Sequence, residues 1–181
     1  MKRYFVFALA SLSLTYGAYS QSDAQQIDDI DKLRQEIKNN ISTYQKTEVE
    51  CDTTGSTGYR YVYKNGSDLK LIAIEYKDKR DPGKYIDKKV EWYFSNGHLI
   101  YCEQVWTDIP TGKIVDDERF YSNDQHLIAW IKSENEKVDS TSQEFKDVDA
   151  QLVAYGNKLV WDSNPTPIKE KPHKYIMPAD K

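Results

Sequence analysis

Apolar residues recur at Ile27, Ile30, Leu33, Ile37 and Ile41, with spacings of 3, 3, 4 and 4. This is one stripe of an α-helix and predicts a helix over residues 22–45, which Ser22 or Asp23 can cap. Asp28, Asp29, Asp31, Arg34, Glu36 and Lys38 take the remaining surface. That polar face is mixed rather than basic, which favours a helix laid on a sheet over one laid on a membrane.

From about Thr43 to Lys132 the period drops toward two, as in half-buried strands. Alternating runs at 59–63 and 69–76 flank Asn65-Gly66. Those at 90–94 and 99–106 flank Asn96-Gly97, and those at 118–121 and 127–131 flank Asn123-Asp124. Asn-Gly between such runs signals a hairpin, because both residues tolerate positive φ. Three hairpins and six or seven strands are expected, with Thr47–Glu50 as the least marked strand. A two-residue turn at Asn96-Gly97 sets Phe94 against Leu99, Tyr93 against Ile100, Trp92 against Tyr101 and Glu91 against Cys102.

Asp139 or Ser140 opens a second helical stripe at Phe145, Val148, Leu152 and Tyr155, with Ser140 and Gln143 as a capping box. Gly156-Asn157 is the expected stop, followed by Leu159-Val160-Trp161 as a short strand or docking segment. Residues 163–181 hold Pro165, Pro167, Pro172 and Pro178 in a polar setting and read as a tail or an extended strap. The fold class is α+β: an N-terminal helix packed on a twisted antiparallel β-meander, plus a C-terminal helix. One domain is expected over residues 21–162.

The start of the chain has a different logic. Lys2 and Arg3 precede an apolar stretch from Tyr4 to Leu14, and Ala18-Tyr19-Ser20 offers small residues ahead of Gln21. This is the layout of a cleaved secretory signal over residues 1–20, too short to span a membrane. A periplasmic or secreted location follows, with no stable membrane insertion after cleavage. The removed piece carries two positive charges and no acids, so the net charge falls from −4 to −6. An acidic chain without a basic patch is a poor partner for nucleic acid. Tyrosine is abundant, 14 against 5 Phe and 4 Trp, as expected of sheet faces that are half wet.

The segment Tyr93-Phe94-Ser95-Asn96-Gly97-His98-Leu99-Ile100 matches Phe120-Tyr121-Ser122-Asn123-Asp124-Gln125-His126-Leu127-Ile128, with one residue inserted in the turn. Tyr63-Lys64-Asn65-Gly66 followed by Leu69 is a looser third copy. In these residues the chain resembles a group of uncharacterised exported bacterial proteins with aromatic-Asn-Gly-x-Leu-Ile hairpins behind a short N-terminal helix. It is also distantly similar to MORN-type hairpin repeats. The resemblance covers roughly Ile27 to Trp130, and its motif is structural, bringing no catalytic residue with it.

Candidate chemistry is sparse. In an oxidising compartment Cys51 and Cys102 allow one bridge; two buried thiols or a catalytic thiol are the other readings. Asp116 and Glu118 share a strand face, whereas the register above puts Glu91 and Glu103 on opposite faces, unable to act as a pair. His98 and His126 follow their turns without the close-spaced ligand pair that zinc favours. There is no phosphate-cradling Gly loop, Gly-x-Ser-x-Gly elbow or dinucleotide fingerprint, so no cofactor is expected. Aromatics remain. Trp92, Phe94 and Tyr101 are expected under a helix, with Tyr93 and Trp106 on an open face, joined by Tyr59 and Tyr61. Such a face suits a glycan, peptide or protein ligand. The expected function is an exported, non-catalytic binding protein. A small hydrolase with its site on the open face and a structural envelope component are the alternatives.

Overall fold

The computed structural model describes residues 22–53, 56–81 and 84–163. The expected export signal and nearly all of the Pro-rich tail lie outside the described residues. Helix α1 (Asp23–Asn39) starts at Ser22, whose side chain accepts from the Gln25 N–H at 3.3 Å. It ends at Asn40, whose side chain donates to the Glu36 carbonyl at 2.9 Å. One 3-10 turn (Ile41–Thr43) leads into the sheet.

Seven strands follow: β1 (Gln45–Thr53), β2 (Ser56–Asn65), β3 (Asp68–Asp81), β4 (Lys84–Ser95), β5 (His98–Asp108), β6 (Lys113–Asn123) and β7 (His126–Ile131). Each pairs antiparallel with the next, giving the order β1-β2-β3-β4-β5-β6-β7. The least marked strand, around Thr47–Glu50, is thus present as β1. Helix α2 (Gln143–Ser163) closes the fold. The architecture is the expected α+β meander between two helices, and none of the helices among the described residues is long and apolar enough to cross a membrane.

The register departs from ideal alternation at each of the three hairpins that the sequence marks. At the β4–β5 turn Ser95 pairs with His98 and Phe94 with Leu99, but Tyr93 then pairs with Tyr101. Ile100 is the extra residue of a bulge. The same shift leaves Lys70 extra between β2 and β3, and Ile128 extra between β6 and β7. The expected pairs Trp92–Tyr101 and Tyr93–Ile100 therefore do not form; Trp92 faces Cys102 instead. Nor is a residue inserted in the last turn. Ser95 pairs with His98 and Asn123 with His126, so both loops have two residues, and Tyr93 corresponds to Tyr121 rather than to Phe120. Asn96, Gly97, Asp124 and Gln125 all have positive φ, the backbone such turns demand.

These bulges distribute the aromatics over two cores. On the α1 side a ladder runs Tyr63, Leu71, Tyr93, Tyr101, Tyr121, Ala129. Ile30 and Ile37 pack on it. On the other side Val62, Ile72, Trp92, Cys102, Phe120 and Trp130 are successive partners, covered by Phe145 and Leu159 of α2. Trp92 and Phe94 thus pack under a helix as expected, but under α2; Tyr101 packs under α1. Burying side chains of this size contributes about 1.5–3 kcal/mol each.

Both helices also differ from their sequence patterns. Leu33 is 39% exposed, and Arg34 takes its place on the sheet-facing stripe. The stripe Ile27, Ile30, Arg34, Ile37, Ile41 has the regular spacing 3, 4, 3, 4. In α2, Ser142 rather than Ser140 caps the start, its side chain accepting from the Phe145 N–H at 3.1 Å. The helix runs through Gly156 to Ser163, so residues 159–161 are helical, not a strand. Gly156 lies against Leu99, where a Cβ would come within 3.0 Å of the Leu99 Cβ. The glycine permits close helix–sheet approach instead of ending the helix.

Candidate functional site

The strands outrun helix α1. Its buried residues cover the tyrosine ladder near the hairpin turns. The next two rows on that side read Glu48, Tyr61, Ala73, Glu91, Glu103, Arg119 and then Glu50, Tyr59, Glu75, Lys89, Val105, Asp117. An open groove of about 700 Å³ lies here, lined among others by Lys38, Tyr59, Glu75, Lys89, Glu103 and Val105.

The inner wall of this groove is a charged network. Glu91 is 7% exposed and accepts hydrogen bonds from the Tyr93 hydroxyl at 2.6 Å and from Lys89 Nζ, 2.8 Å away. Lys38 of α1 approaches the same carboxylate at 3.4 Å. Burial alone would raise the Glu91 pKa, but the Lys89 and Tyr93 hydrogen bonds and the two ammonium groups outweigh it and hold the carboxyl below its ordinary value. The Tyr93 hydroxyl moves up, through burial and then through Glu91. Next to it, Arg34 donates to the Tyr101 hydroxyl at 2.8 Å and lies 3.8 Å from Glu103 and 3.4 Å from Asp31. Its guanidinium also stacks over the Tyr101 ring, 4.6 Å from the centroid.

Of the four expected ligand-binding aromatics, two share the open area. Tyr59 is 42% exposed, and its ring stacks on Tyr61 with centroids 6.3 Å apart. Lys46 of β1 sits over the Tyr61 ring at 4.0 Å. Tyr93 does not belong there. It is fully buried under α1, because the bulge at Ile100 sets it against Tyr101 in the core ladder. Trp106 also differs from expectation: it pairs with Lys88 and Asp116 on the α2 side, the side opposite Tyr93, with Lys88 Nζ 4.0 Å from its ring centroid.

The carboxylates rearrange likewise. Glu91 and Glu103 are direct cross-strand partners on one face, not on opposite faces, because the same bulge shifts the register by one. Asp116 and Glu118 share a face, as alternation requires, but on the α2 side. There burial, then Asp116, pushes the Glu118 carboxyl up. Asp116 accepts from the Ser133 hydroxyl at 3.0 Å. His98 and His126 open β5 and β7 with β6 between them, and His126 lies 3.6 Å from Asp149.

Of the readings open for Cys51 and Cys102, the structure shows the buried thiol at Cys102 rather than a bridge. Cys102 is a free, buried thiol whose pKa burial pushes well up. Cys51 is on β1, and β2, β3 and β4 stand between it and β5. At about 4.8 Å per strand that is roughly 19 Å, far beyond disulfide reach. Lys38 and Lys89 of the groove, and Arg34 beside it, are the residues that sequence reasoning missed. The signal for Arg34 was present, since it completes the 3, 4, 3, 4 stripe of α1.

Comparisons of the chain with known protein families, characterised proteins and solved structures each return no match.

Proposed function

We propose that this chain is an exported, non-catalytic binding protein whose ligand lies on the open part of the α1-side face, against Tyr59 and Tyr61. The supporting observation is the mismatch in length between helix and sheet. Helix α1 covers the tyrosine ladder, and beyond it the strands carry a stacked tyrosine pair beside a groove edged with fixed charges. A stacked, partly exposed aromatic pair offers flat apolar area with little entropy left to lose, and hydroxyls for orientation. A glycan or an extended peptide fits such a surface. The export reading rests on the basic start, apolar run and small residues of 1–20.

A hydrolase is the second reading, favoured by the opposed Glu91 and Glu103. Glu91 is a poor general acid, however. Its hydrogen bonds and ion pairs stabilise the ionised form, whereas a carboxylic acid that donates a proton near neutrality needs its pKa raised. The pair is better placed to brace α1 through Arg34 and Lys38. A glycan and peptide array probed with residues 21–181 tests the binding reading. Binding that survives both Tyr59→Ala and Tyr61→Ala sinks it, and turnover of an arrayed compound that is lost in Glu103→Gln establishes the hydrolase.

A further inference from the structure

Strand β6 is longer than the strand beside it. β7 pairs with residues 119–123, so the first part of β6 runs past it. At Asp117 the chain after β7 still reaches this edge: the Ser133 hydroxyl accepts from the Asp117 N–H at 2.9 Å and donates to the Asp116 carboxylate at 3.0 Å. From Lys113 to Asp116 no strand lies on that side among the described residues. This open edge is apolar at its centre. Ile114 is 63% exposed and Val115 54%, the two most exposed large hydrophobic side chains among the described residues, and Ile109 of the adjoining turn is a third. An exposed apolar edge is a template for another strand.

The charges at its two ends select the partner. The edge reads Lys113-Ile114-Val115-Asp116. Laid antiparallel against a copy of itself, it puts Lys113 opposite Asp116 at both ends, with the two apolar residues between. The faces agree as well. In a regular strand Lys113 and Asp116, three positions apart, would point to opposite sides. Val115 is the extra residue of a bulge, however, because Trp106 pairs with Asp116 and Thr107 with Ile114. Lys113 and Asp116 therefore stand opposite Asp108 and Trp106, which are two apart on one face of β5. A two-fold axis normal to the sheet preserves that face, so both Lys–Asp pairs form on the α2 side. The length fits too. The turn closes just before Lys113, where the Gly112 N–H donates to the Asp108 carbonyl, and Ser133 occupies the edge at Asp117. The self-complementary residues are the whole of the open edge.

We propose that this chain forms a two-fold symmetric dimer through the Lys113–Asp116 edge of β6, an isologous contact in which Ile114 and Val115 of each copy cover those of the other. The chain as a whole is acidic, so two copies approach only where charge matches locally, and this edge supplies the match. The contact is short and belongs to the class of weak, reversible interfaces. It is independent of the ligand reading, because its test uses no ligand.

The test is sedimentation equilibrium of residues 21–181 at low salt, from about 10 μM to about 1 mM protein. The wild type should pass from monomer toward dimer across that range. Lys113→Asp and Asp116→Lys each set like charges opposite one another, and each should weaken association about tenfold. Mixing the two variants should restore it as a heterodimer, since each copy then meets the opposite charge at both ends. Lys113→Asp/Asp116→Lys in one chain should restore it as well. Unchanged thermal unfolding of the variants at low concentration separates a lost contact from a lost fold. A wild type still monomeric at the highest concentration, a dimer indifferent to the single reversals (as one formed through β1 would be), or variants that fail to associate on mixing would each overturn the proposal.

Discussion

Tyr93 donates a 2.6 Å hydrogen bond to Glu91, two residues earlier on the same face of β4, and both side chains are buried. The pair joins the tyrosine core to the charged wall of the groove, because Lys38 of α1 meets the same carboxylate. Hydrogen bonds to a buried charge are worth about 1.5–3 kcal/mol. Glu91 ionises more readily in the folded chain than in the unfolded one, so its contribution is complete above the unfolded pKa and is lost as pH falls through the lower folded value. Glu91→Gln should therefore cost about 1–3 kcal/mol at neutral pH. The gap from wild type should stay constant down to about pH 5 and close below it. Denaturant titrations of both proteins across that range measure it; a gap that widens in acid would contradict the sign.

Burial orders the aromatic variants differently from the sequence pattern. Trp92 and Tyr93 are both fully inside, one under each helix, whereas Trp106 is only partly covered. Trp92→Ala and Tyr93→Ala should each cost about 3–5 kcal/mol, and Trp106→Ala roughly 1–2 kcal/mol. Tyr59→Ala should stay within about 1 kcal/mol of wild type, because its ring is partly in solvent and lies outside both cores. Thermal unfolding of the four variants checks the order, and a Tyr59 loss equal to that of Tyr93 would mean that the proposed binding area is really core.

The chain's strands and turns are legible in its sequence because alternation and Asn-Gly pairs are local signals. The assignment of side chains to faces is not. It hinges on whether one residue after each turn is bulged, and nothing in Leu99-Ile100-Tyr101 distinguishes a bulged Ile100 from a paired one. That single residue moves Tyr101 to the α1 side and turns Glu91 and Glu103 from strangers into partners. It also separates Tyr93 from Trp106. Gly156 misled for a related reason: its meaning depends on Leu99, 57 positions away in the chain, and not on its own neighbours. Tyr59 and Tyr61 share a face as alternation alone requires, because the bulge beside β2 lies at its turn end, at Lys70 of β3.

Cys102 tests the absence of a bridge. Its thiol is buried, and burial followed by Glu103, Glu118 and Glu91 disfavours the thiolate. In a Cys51→Ser background, Cys102 should react with a disulfide reagent at least ~10³-fold more slowly in buffer than in guanidinium, at a rate set by unfolding. Wild-type protein prepared without reductant should yield a titratable Cys102 once unfolded. A wild-type chain that shows no thiol in guanidinium until reduced would restore the intramolecular bridge and contradict the strand order.

Gly156 sits mid-helix, where alanine ordinarily stabilises by about 0.5–1 kcal/mol. Here an added Cβ would meet Leu99 at 3.0 Å from its Cβ and 3.1 Å from its Cδ2. Contacts that short require α2 to lift from the sheet or Leu99 to leave its rotamer, at a cost of about 1–3 kcal/mol. Gly156→Ala should therefore destabilise by about 1–2 kcal/mol, the packing loss exceeding the helical gain. Leu99→Ala alone should cost about 2–5 kcal/mol through the cavity it leaves. Combined, the two should cost less than their sum by at least ~0.5 kcal/mol, since the new methyl fills space that the leucine vacates. Urea unfolding of the wild type, both single variants and the double closes the cycle. A stabilising Gly156→Ala, or strict additivity, would show that α2 does not press on β5 at this point and that the glycine serves some purpose other than close approach.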